Sequence, residues 1–302
     1  MSTVVVGSVA LDTIKTDKKN VEEVLGGSAS YFSYSSSFFT DTKMVAVVGN
    51  DFPKTHYDFL RAKNIDLEGL AEIKGKTFRW SGEYKDDMNT AITHETQLNV
   101  FEDFDPFIPE SYKKCSVLFL ANIDPQLQMM VLDEIEKPHF VACDTMNLWI
   151  DIKKKVLKSL IKKIDLLIVN DGEAKQLTAC DSTIKAVYEL LTMGPKFVVV
   201  KKGEHGVIVA SNTDIAVYPA YPLQNVTDPT GAGDSFAGGM IGWIDKSGAY
   251  DFQSIKEGVL FGTVMASFAV EGFSLDGLTN LDKEDIMARY SRFCDIITPE
   301  RV

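Results

Sequence analysis

The run from Asn225 to Phe236 reads N-V-T-D-P-T-G-A-G-D-S-F and continues A-G-G-M-I-G-W-I. Gly231, Ala232 and Gly233 make a turn of small residues, and from Asp234 the apolar positions Phe236, Met240, Ile241 and Ile244 recur at helical spacing. Small residues let the backbone approach a ligand closely, and the unpaired N–H groups at a helix start attract anions. A carboxylate in the same place works against simple anion binding. It makes sense if Asp234 takes a proton from a hydroxyl that attacks phosphorus beside the turn. A helix that merely caps itself on Asp after a glycine gives the same local pattern. The run alone leaves both readings open.

Other polar residues fall where strands end. Asp12 stands in a short loop after the first apolar run and can accept hydrogen bonds from two neighbouring hydroxyls, as a sugar or ribose offers; an Asp there is also a common turn residue. Asn122, Asp144 and Asn147 follow runs that stop at 120 and 143, the end of an open α/β sheet where ligands gather. Several other chemistries are excluded. No G-x-x-x-x-G-K-[ST] is present, because Gly49 to Lys54-Thr55 lacks the second glycine. Gly7-Ser8-Val9-Ala10 does not supply G-x-G-x-x-G, and neither H-E-x-x-H nor G-x-S-x-G occurs. Cys115, Cys143, Cys180 and Cys294 form no C-x-x-C pair, and His56, His94, His139 and His205 are dispersed, so zinc and dithiol sites have no basis.

The elements that must position these residues follow from the apolar pattern. Short, nearly continuous runs at 3–6, 44–48, 117–120, 140–143, 165–169 and 197–200 read as strands covered on both faces. Between two of them, 149–164 places Trp149, Ile152, Val156 and Leu160 on one helical stripe, with Lys153, Lys154, Lys158 and Lys162 opposite. This alternation predicts an α/β fold with a central, mainly parallel sheet and helices on both faces. Residues 76–101 break the pattern with two-residue alternation: Phe78, Trp80, Tyr84, then Ile92, His94 and Leu98, with Asp86-Asp87-Met88-Asn89 as the turn. That predicts a β-hairpin with one apolar face, which either covers a sheet edge or stands over the site as a lid.

No repeat, low-complexity tract or Pro/Gly-rich linker divides the chain, so residues 1–302 read as a single domain. A chain of 302 residues, 45% hydrophobic and 25% charged, can bury a core without disulfides or metal. Its net charge of −12 argues against nucleic acid or an anionic membrane as the main partner, while leaving room for a local basic pocket. The N-terminal Val4-Val5-Val6 lacks the pattern of a signal peptide, no apolar window reaches membrane-spanning length, and the thiols are scattered; a cytoplasmic location is expected.

The longer run D-P-T-G-A-G-D-S-F-A-G-G strongly resembles the C-terminal signature of the ribokinase-like (PfkB) family of carbohydrate and nucleoside kinases. The resemblance spans nearly the whole chain, with motifs in family order. Gly7-Ser8 and Asp12 look like the first-strand glycine and hydroxyl-binding aspartate, and Gly26-Gly27-Ser28 like the diglycine that opens the sugar-facing helix. Asn170-Asp171-Gly172-Glu173 resembles the N-x-x-E motif that orders magnesium and phosphate through water. Lys202-Gly203-Glu204-His205-Gly206 resembles the nucleotide-phosphate turn.

The resemblance implies a role for each position. Asp234 would be the base on the acceptor hydroxyl, and the N–H groups of Gly231, Ala232, Gly233 and Asp234 the anion hole for the transferred phosphoryl. Asn170 and Glu173 would hold hydrated Mg²⁺, and Asp228 and Thr230 match positions where family members bind a monovalent cation, so potassium joins ATP and Mg²⁺ as an open cofactor question. Asp12, Gly26, Gly27, Ser28, Tyr31 and Asn122 would face the substrate, while Lys202, Gly203, Gly206, Gly262 and Thr263 would face the nucleotide. The lid would combine 76–101 with the segment near 10–20, and its apolar face would suit a homodimer. Sugar kinases of the family carry Asn where this chain has Tyr31, and Gly-Gly-Ser is closer to the nucleoside-kinase side; Phe78, Trp80 and Tyr31 would then stack on a base. The resulting expectation is ATP-dependent phosphorylation of a hydroxyl on a small sugar or polyol. A nucleoside kinase of the adenosine, inosine or guanosine type is the alternative, and a silent regulatory or ligand-binding member of the fold a further one.

Overall fold

The computed structural model describes residues 1–17, 19–85, 88 and 91–298. The chain begins with β1 (Ser2–Val6), β2 (Ala10–Lys15), β3 (Asn20–Gly26), α1 (Ser28–Ser36), β4 (Asp41–Gly49), α2 (Lys54–Ala62) and β5 (Asp66–Ile73). Then come β6 (Phe78–Tyr84), β7 (Ala91–Gln97), β8 (Val117–Leu120), α3 (Pro125–Glu134), β9 (Phe140–Asp144), α4 (Asn147–Ile152), α5 (Lys154–Ile161), β10 (Leu166–Asn170) and α6 (Asp171–Thr178). The last third holds α7 (Thr183–Thr192), β11 (Phe197–Lys201), β12 (Val207–Ser211), β13 (Ile215–Tyr218), α8 (Ala232–Ser247), α9 (Phe252–Ala269), α10 (Asp276–Thr279) and α11 (Lys283–Ile297).

Nine strands form one sheet in the order β13-β12-β11-β10-β9-β8-β1-β4-β5. Pairing is parallel from β5 to β11 and antiparallel for β12 and β13. The six apolar runs in the sequence are its central strands. Successive side chains on a strand point to opposite faces, so each run feeds two cores. Val5, Met44, Phe119, Ile168 and Val199 pack with the helices α1, α8 and α9. Val4, Val6, Leu118, Leu167 and Val198 pack on the other face with α5 and α7.

The 149–164 stripe needs correction. The helix breaks at Lys153, whose φ is −126°, and the two pieces bury Ile150, Leu157, Leu160 and Ile161. Ile152, expected inside, is 61% exposed. A break shifts the helical phase, so one stripe cannot run across it.

The hairpin at 76–101 is half of a second, four-stranded sheet in the order β3-β2-β6-β7, with β2 and β6 parallel. The other half runs through residue 26, beyond the segment near 10–20 expected from the sequence. An apolar face exists on this side only in part: Ile14, Tyr84 and Phe273 form a small core, with Val21, Val24 and Trp80 against it. On β7, Ile92 is exposed, and so is Leu98 just beyond it, as befits an edge strand. The expected turn at Asp86-Asp87-Met88-Asn89 lies, Met88 apart, outside the described residues.

Candidate active site

The D-P-T-G-A-G-D run becomes a pinned loop leading into α8. Asp228 is buried and staples it: its Oδ1 accepts from the Thr230 N–H at 2.9 Å and its Oδ2 from the Ser274 N–H at 3.3 Å. Thr227 N–H donates to the Val270 carbonyl at 2.8 Å, tying the loop to the end of α9. Gly231 then takes φ +73°, and a Cβ there would overlap the Tyr31 ring, so only glycine fits. The Ala232 N–H is already committed to the Pro229 carbonyl at 3.1 Å. Of the four donors expected, Gly231, Gly233 and Asp234 have no acceptor among the described residues. Asp234 itself does not cap the helix through its side chain.

One wall of the cleft comes from the four-stranded sheet. Asp12 lies on β2, 4% exposed, and a Cβ on Gly26 would overlap its carboxylate. Gly27 has φ +91°, and a Cβ there would stand 2.5 Å from the Ser8 carbonyl oxygen. Ser28 is used structurally: its N–H donates to Ser8 Oγ at 3.1 Å and its Oγ accepts from the Ser8 N–H at 3.2 Å, which locks the β1–β2 loop to the start of α1. Tyr31, on α1, is 1% exposed and its buried hydroxyl has no partner among the described residues. Burial pushes Asp12 up to about 8, with the charges of Asp228 and Asp234 adding to the rise and the Gly27 N–H opposing it. Burial, then Asp12, Asp228 and Asp234, also raises Tyr31 well above its usual range. From β6, the Tyr84 hydroxyl reaches within 3.3 Å of Thr230 Oγ1, a contact between this sheet and the loop that the sequence did not signal.

The opposite wall gathers the ends of β9, β10 and β11. Asn170 and Glu173 form a reciprocal capping box at the start of α6, each backbone N–H donating to the other side chain at 2.8 Å. Asp144 ends β9, and its carboxylate accepts from Lys201 Nζ at 3.1 Å. Lys201 was missed by the motif reading, which stopped one residue later at Lys202. The available signal was a lysine closing the apolar run V-V-V-K at the end of a parallel strand. Burial and then Asp144 lift Asp234 to about 7, against Lys201. Burial and Asp144 lift Glu173 to about 7, with Lys201 and the Asn170 N–H opposing. Burial disfavours the Lys201 charge, but Asp144, Glu173 and Asp234 outweigh it and raise its pKa. Gln128, also unforeseen, donates from Nε2 to the carbonyls of Leu120, Ala121 and Asp144 at 3.2, 2.8 and 3.1 Å, tying the ends of β8 and β9 together. Asn122 accepts from Trp149 Nε1 at 3.0 Å, and Asn147 is exposed at the start of α4.

Beside α8 lies a cavity of about 590 Å³, lined by the Gly203–Gly206 turn, Lys201, Tyr221, Leu223, Phe236 and Thr263. Lys201, not Lys202, lines it; the Lys202 backbone N–H closes the turn on the Gly206 carbonyl at 2.8 Å. Gly262 faces away from the cavity: a Cβ there would meet the Phe236 carbonyl oxygen at 2.7 Å, so this glycine serves the packing of α9 on α8. The cavity wall also includes Ala232 and Gly233 at the start of α8.

The donor set also bears on a metal. Asp144 and Glu173 offer hard oxygens, and no group of three or more acidic, His or Cys ligands exists among the described residues. That fits an ion that keeps most of its water, as Mg²⁺ does. Among the described residues, no helix is long and apolar enough to cross a membrane.

Residues 2–277 match the family described as pfkB family carbohydrate kinase. The cytidine kinase of Thermococcus kodakarensis is 28% identical over 245 residues, covering 79% of this chain and 86% of that protein. The Burkholderia thailandensis nucleoside kinase, solved in complex with inosine, superposes with a TM-score of 0.76 at 20% identity, covering 96% of this chain and 98% of that one. A putative ribokinase II from E. coli, solved with ATP and Mg²⁺, gives a TM-score of 0.76 at 16% identity over 96% of this chain and 99% of that one.

Proposed function

The chain belongs to the pfkB family of carbohydrate kinases, and from that premise we propose that it transfers the γ-phosphoryl of ATP to a ribose hydroxyl of a nucleoside, with Asp234 as the base. The observation that carries this reading is the place of Asp234. It stands at the start of α8 beside unpaired N–H groups, next to Gly233 of the cavity wall and close enough to Asp12 for the two charges to act on each other. A carboxyl lifted to about 7 is matched to taking a proton near neutral pH, where a base needs both a free lone pair and enough basicity.

The chain's residues divide the work. Asp12 accepts hydrogen bonds from the acceptor's hydroxyls and turns the attacking oxygen toward α8. Asp234 takes its proton as the bond to phosphorus forms. The N–H groups of Gly231, Gly233 and Asp234 meet the charge on the phosphoryl oxygens, donors of a kind worth roughly 3–4 kcal/mol each in a dry site. Asn170, Glu173 and Asp144 would hold hydrated Mg²⁺, which supplies charge neutralisation between the phosphates when bound. Because Asp12 sits on β2, the strand that grips the acceptor is part of the lid that excludes water.

A nucleoside rather than a free sugar is favoured by the apolar surface next to Asp12. Trp80 pairs with Asp12 across β2 and β6 and lies on the same face, over Gly82, while the Tyr31 ring abuts Gly231. Phe78 is occupied otherwise, stacked on Phe101 at 5.3 Å. The names of the relatives, a cytidine kinase and a nucleoside kinase, point the same way. The test is ATP consumption with Mg²⁺ across free sugars and nucleosides, with Asp234→Asn as control. Turnover with nucleosides is expected, and the variant should lose at least about 10² in kcat while binding ADP within a few-fold of wild type. Normal turnover by Asp234→Asn would remove it as the base, and turnover with free sugars alone would remove the nucleoside.

A further inference from the structure

We propose that Lys201 is a catalytic residue whose ammonium touches the transferred phosphoryl group, and that Asp144 is the positioning residue that holds it there. The proposal rests on the kinase reading above and adds a cation that the motifs do not contain.

The geometry comes first. Lys201 is the last residue of β11, and its side chain is 19% exposed. Its Nζ lies 3.1 Å from Asp144 Oδ2 and would stand 2.9 Å from a Cβ on Gly233. The ammonium therefore lies against the small-residue turn, where the Gly231 and Gly233 N–H groups are unpaired among the described residues, and Lys201 also lines the cavity beside α8. An ammonium has three protons to donate, and Asp144 is its one hydrogen-bond acceptor among the described residues. The others are available to a ligand entering between the cavity and Asp234.

A purely structural ion pair is the competing account. Burying two charges costs more than apolar residues of similar volume would, and a structural pair needs no opening onto a cavity. Asp144 is further fixed from behind, because Gln128 holds its carbonyl at 3.1 Å. A strand end, a carboxylate and a glutamine thus aim one ammonium at one point. In the transfer step, the acceptor oxygen forms its bond to phosphorus as the bond from phosphorus to the bridging oxygen breaks. The electron pair leaves with the nucleoside diphosphate, and the acceptor's proton goes to Asp234. Lys201 keeps its proton throughout and supplies hydrogen bonds to the phosphoryl oxygens.

The test compares Lys201→Met, Lys201→Arg and Asp144→Asn in the full chain, reading kcat, KM for ATP, ADP affinity by calorimetry and melting temperature. Loss of one such donor lowers kcat by about 10²–10³. Lys201→Met should fall in that range at saturating ATP with ADP affinity within about five-fold, Lys201→Arg should recover part of the loss, and Asp144→Asn should lose kcat less severely. If the methionine variant does not fold, Lys201→Gln, which is one atom shorter but keeps an uncharged donor, is read by the same criteria. A kcat within about three-fold of wild type, with only melting temperature or ADP affinity reduced, would make Lys201 a structural or ground-state contact and overturn the proposal. Wild-type inactivity toward every acceptor would instead remove the kinase reading itself.

Discussion

Asp12→Asn should make the ligand-free protein more stable at alkaline pH and nearly inactive. Folding moves this carboxyl from 3.8 to about 8, chiefly by burying it. Between those values the folded chain holds a proton that the unfolded chain has released, so the folded state binds more protons and stability falls as pH rises. A shift of that size, taken at about 1.4 kcal/mol per unit, sets an upper limit of roughly 5–6 kcal/mol lost by about pH 8.5. The site opens into a cleft and its charges are coupled, so a loss of about 2 kcal/mol is the reasonable expectation. Asn is neutral at every pH and keeps an oxygen for the Gly27 N–H. Urea unfolding without ligands should therefore show wild type and variant equal at about pH 3.5, where the unfolded carboxyl is protonated too, with the variant's advantage growing above that to about 2 kcal/mol by pH 8.5, a few degrees in melting temperature for a chain this size. Near pH 8.5, where the wild-type Asp12 carboxylate is charged, kcat/KM for the acceptor should fall by at least about 10², because a charged acceptor of two hydroxyls is replaced by a weaker one. An advantage that does not grow with pH, or a variant less stable near pH 8.5, would refute the claim that Asp12 is strained by its own charge.

Two further outcomes follow from the same geometry. Gly231→Ala should lose about 2 kcal/mol or more in urea unfolding, about 1–2 kcal/mol from φ +73° and the rest from overlap with Tyr31. Adding Tyr31→Ala should remove the second part only, and full recovery would show that the backbone conformation is not strained. The kcat/KM profile should fall as pH drops below about 8 and by more than tenfold per unit below about pH 7, since a protonated Asp12 is a weaker acceptor and a protonated Asp234 cannot accept a proton; a rate flat to about pH 5.5 would place the controlling groups elsewhere.

The chemistry was legible where it is carried by backbone and local spacing. G-A-G-D needs its glycines next to each other to make a turn, and N-x-x-E needs three residues to close a capping box, so both survive as strings. The six central strands were legible because both of their faces are buried. The first half of the four-stranded sheet was not. Its strands turn through Glu23 at φ +50°, carry a bulge between Asp12 and Ile14, and pair β2 with β6 some sixty residues away. No alternation survives that. Gly262 was assigned to the nucleotide because its role in helix packing leaves the same letter in the sequence. Lys201 escaped for a different reason. On a strand the side chain's face changes at every residue, so Lys201 and Lys202 differ by one position and by everything else.

That difference decides how this acidic protein can bind a polyanion. Net charge −12 leaves room for a local basic pocket, and the fold does not build one. Asp12, Asp144, Glu173, Asp228 and Asp234 crowd the cleft, and among the described residues Lys201 is the one cation that acts on Asp234 and Glu173. Burial, reinforced by the neighbouring carboxylates, holds Asp12, Glu173 and Asp234 each near or above neutrality. Phosphate recognition must then come from groups that a charge count does not see: the N–H groups at the start of α8, and a metal drawn by Asp144 and Glu173. The same crowding keeps Asp234 basic enough to take a proton. A basic pocket would hold the nucleotide more tightly and, by lowering the pKa of Asp234, make it a poorer base. On the proposed reading the acid surplus is part of the mechanism, and Lys201 would offset that surplus at the phosphoryl without removing it from the base.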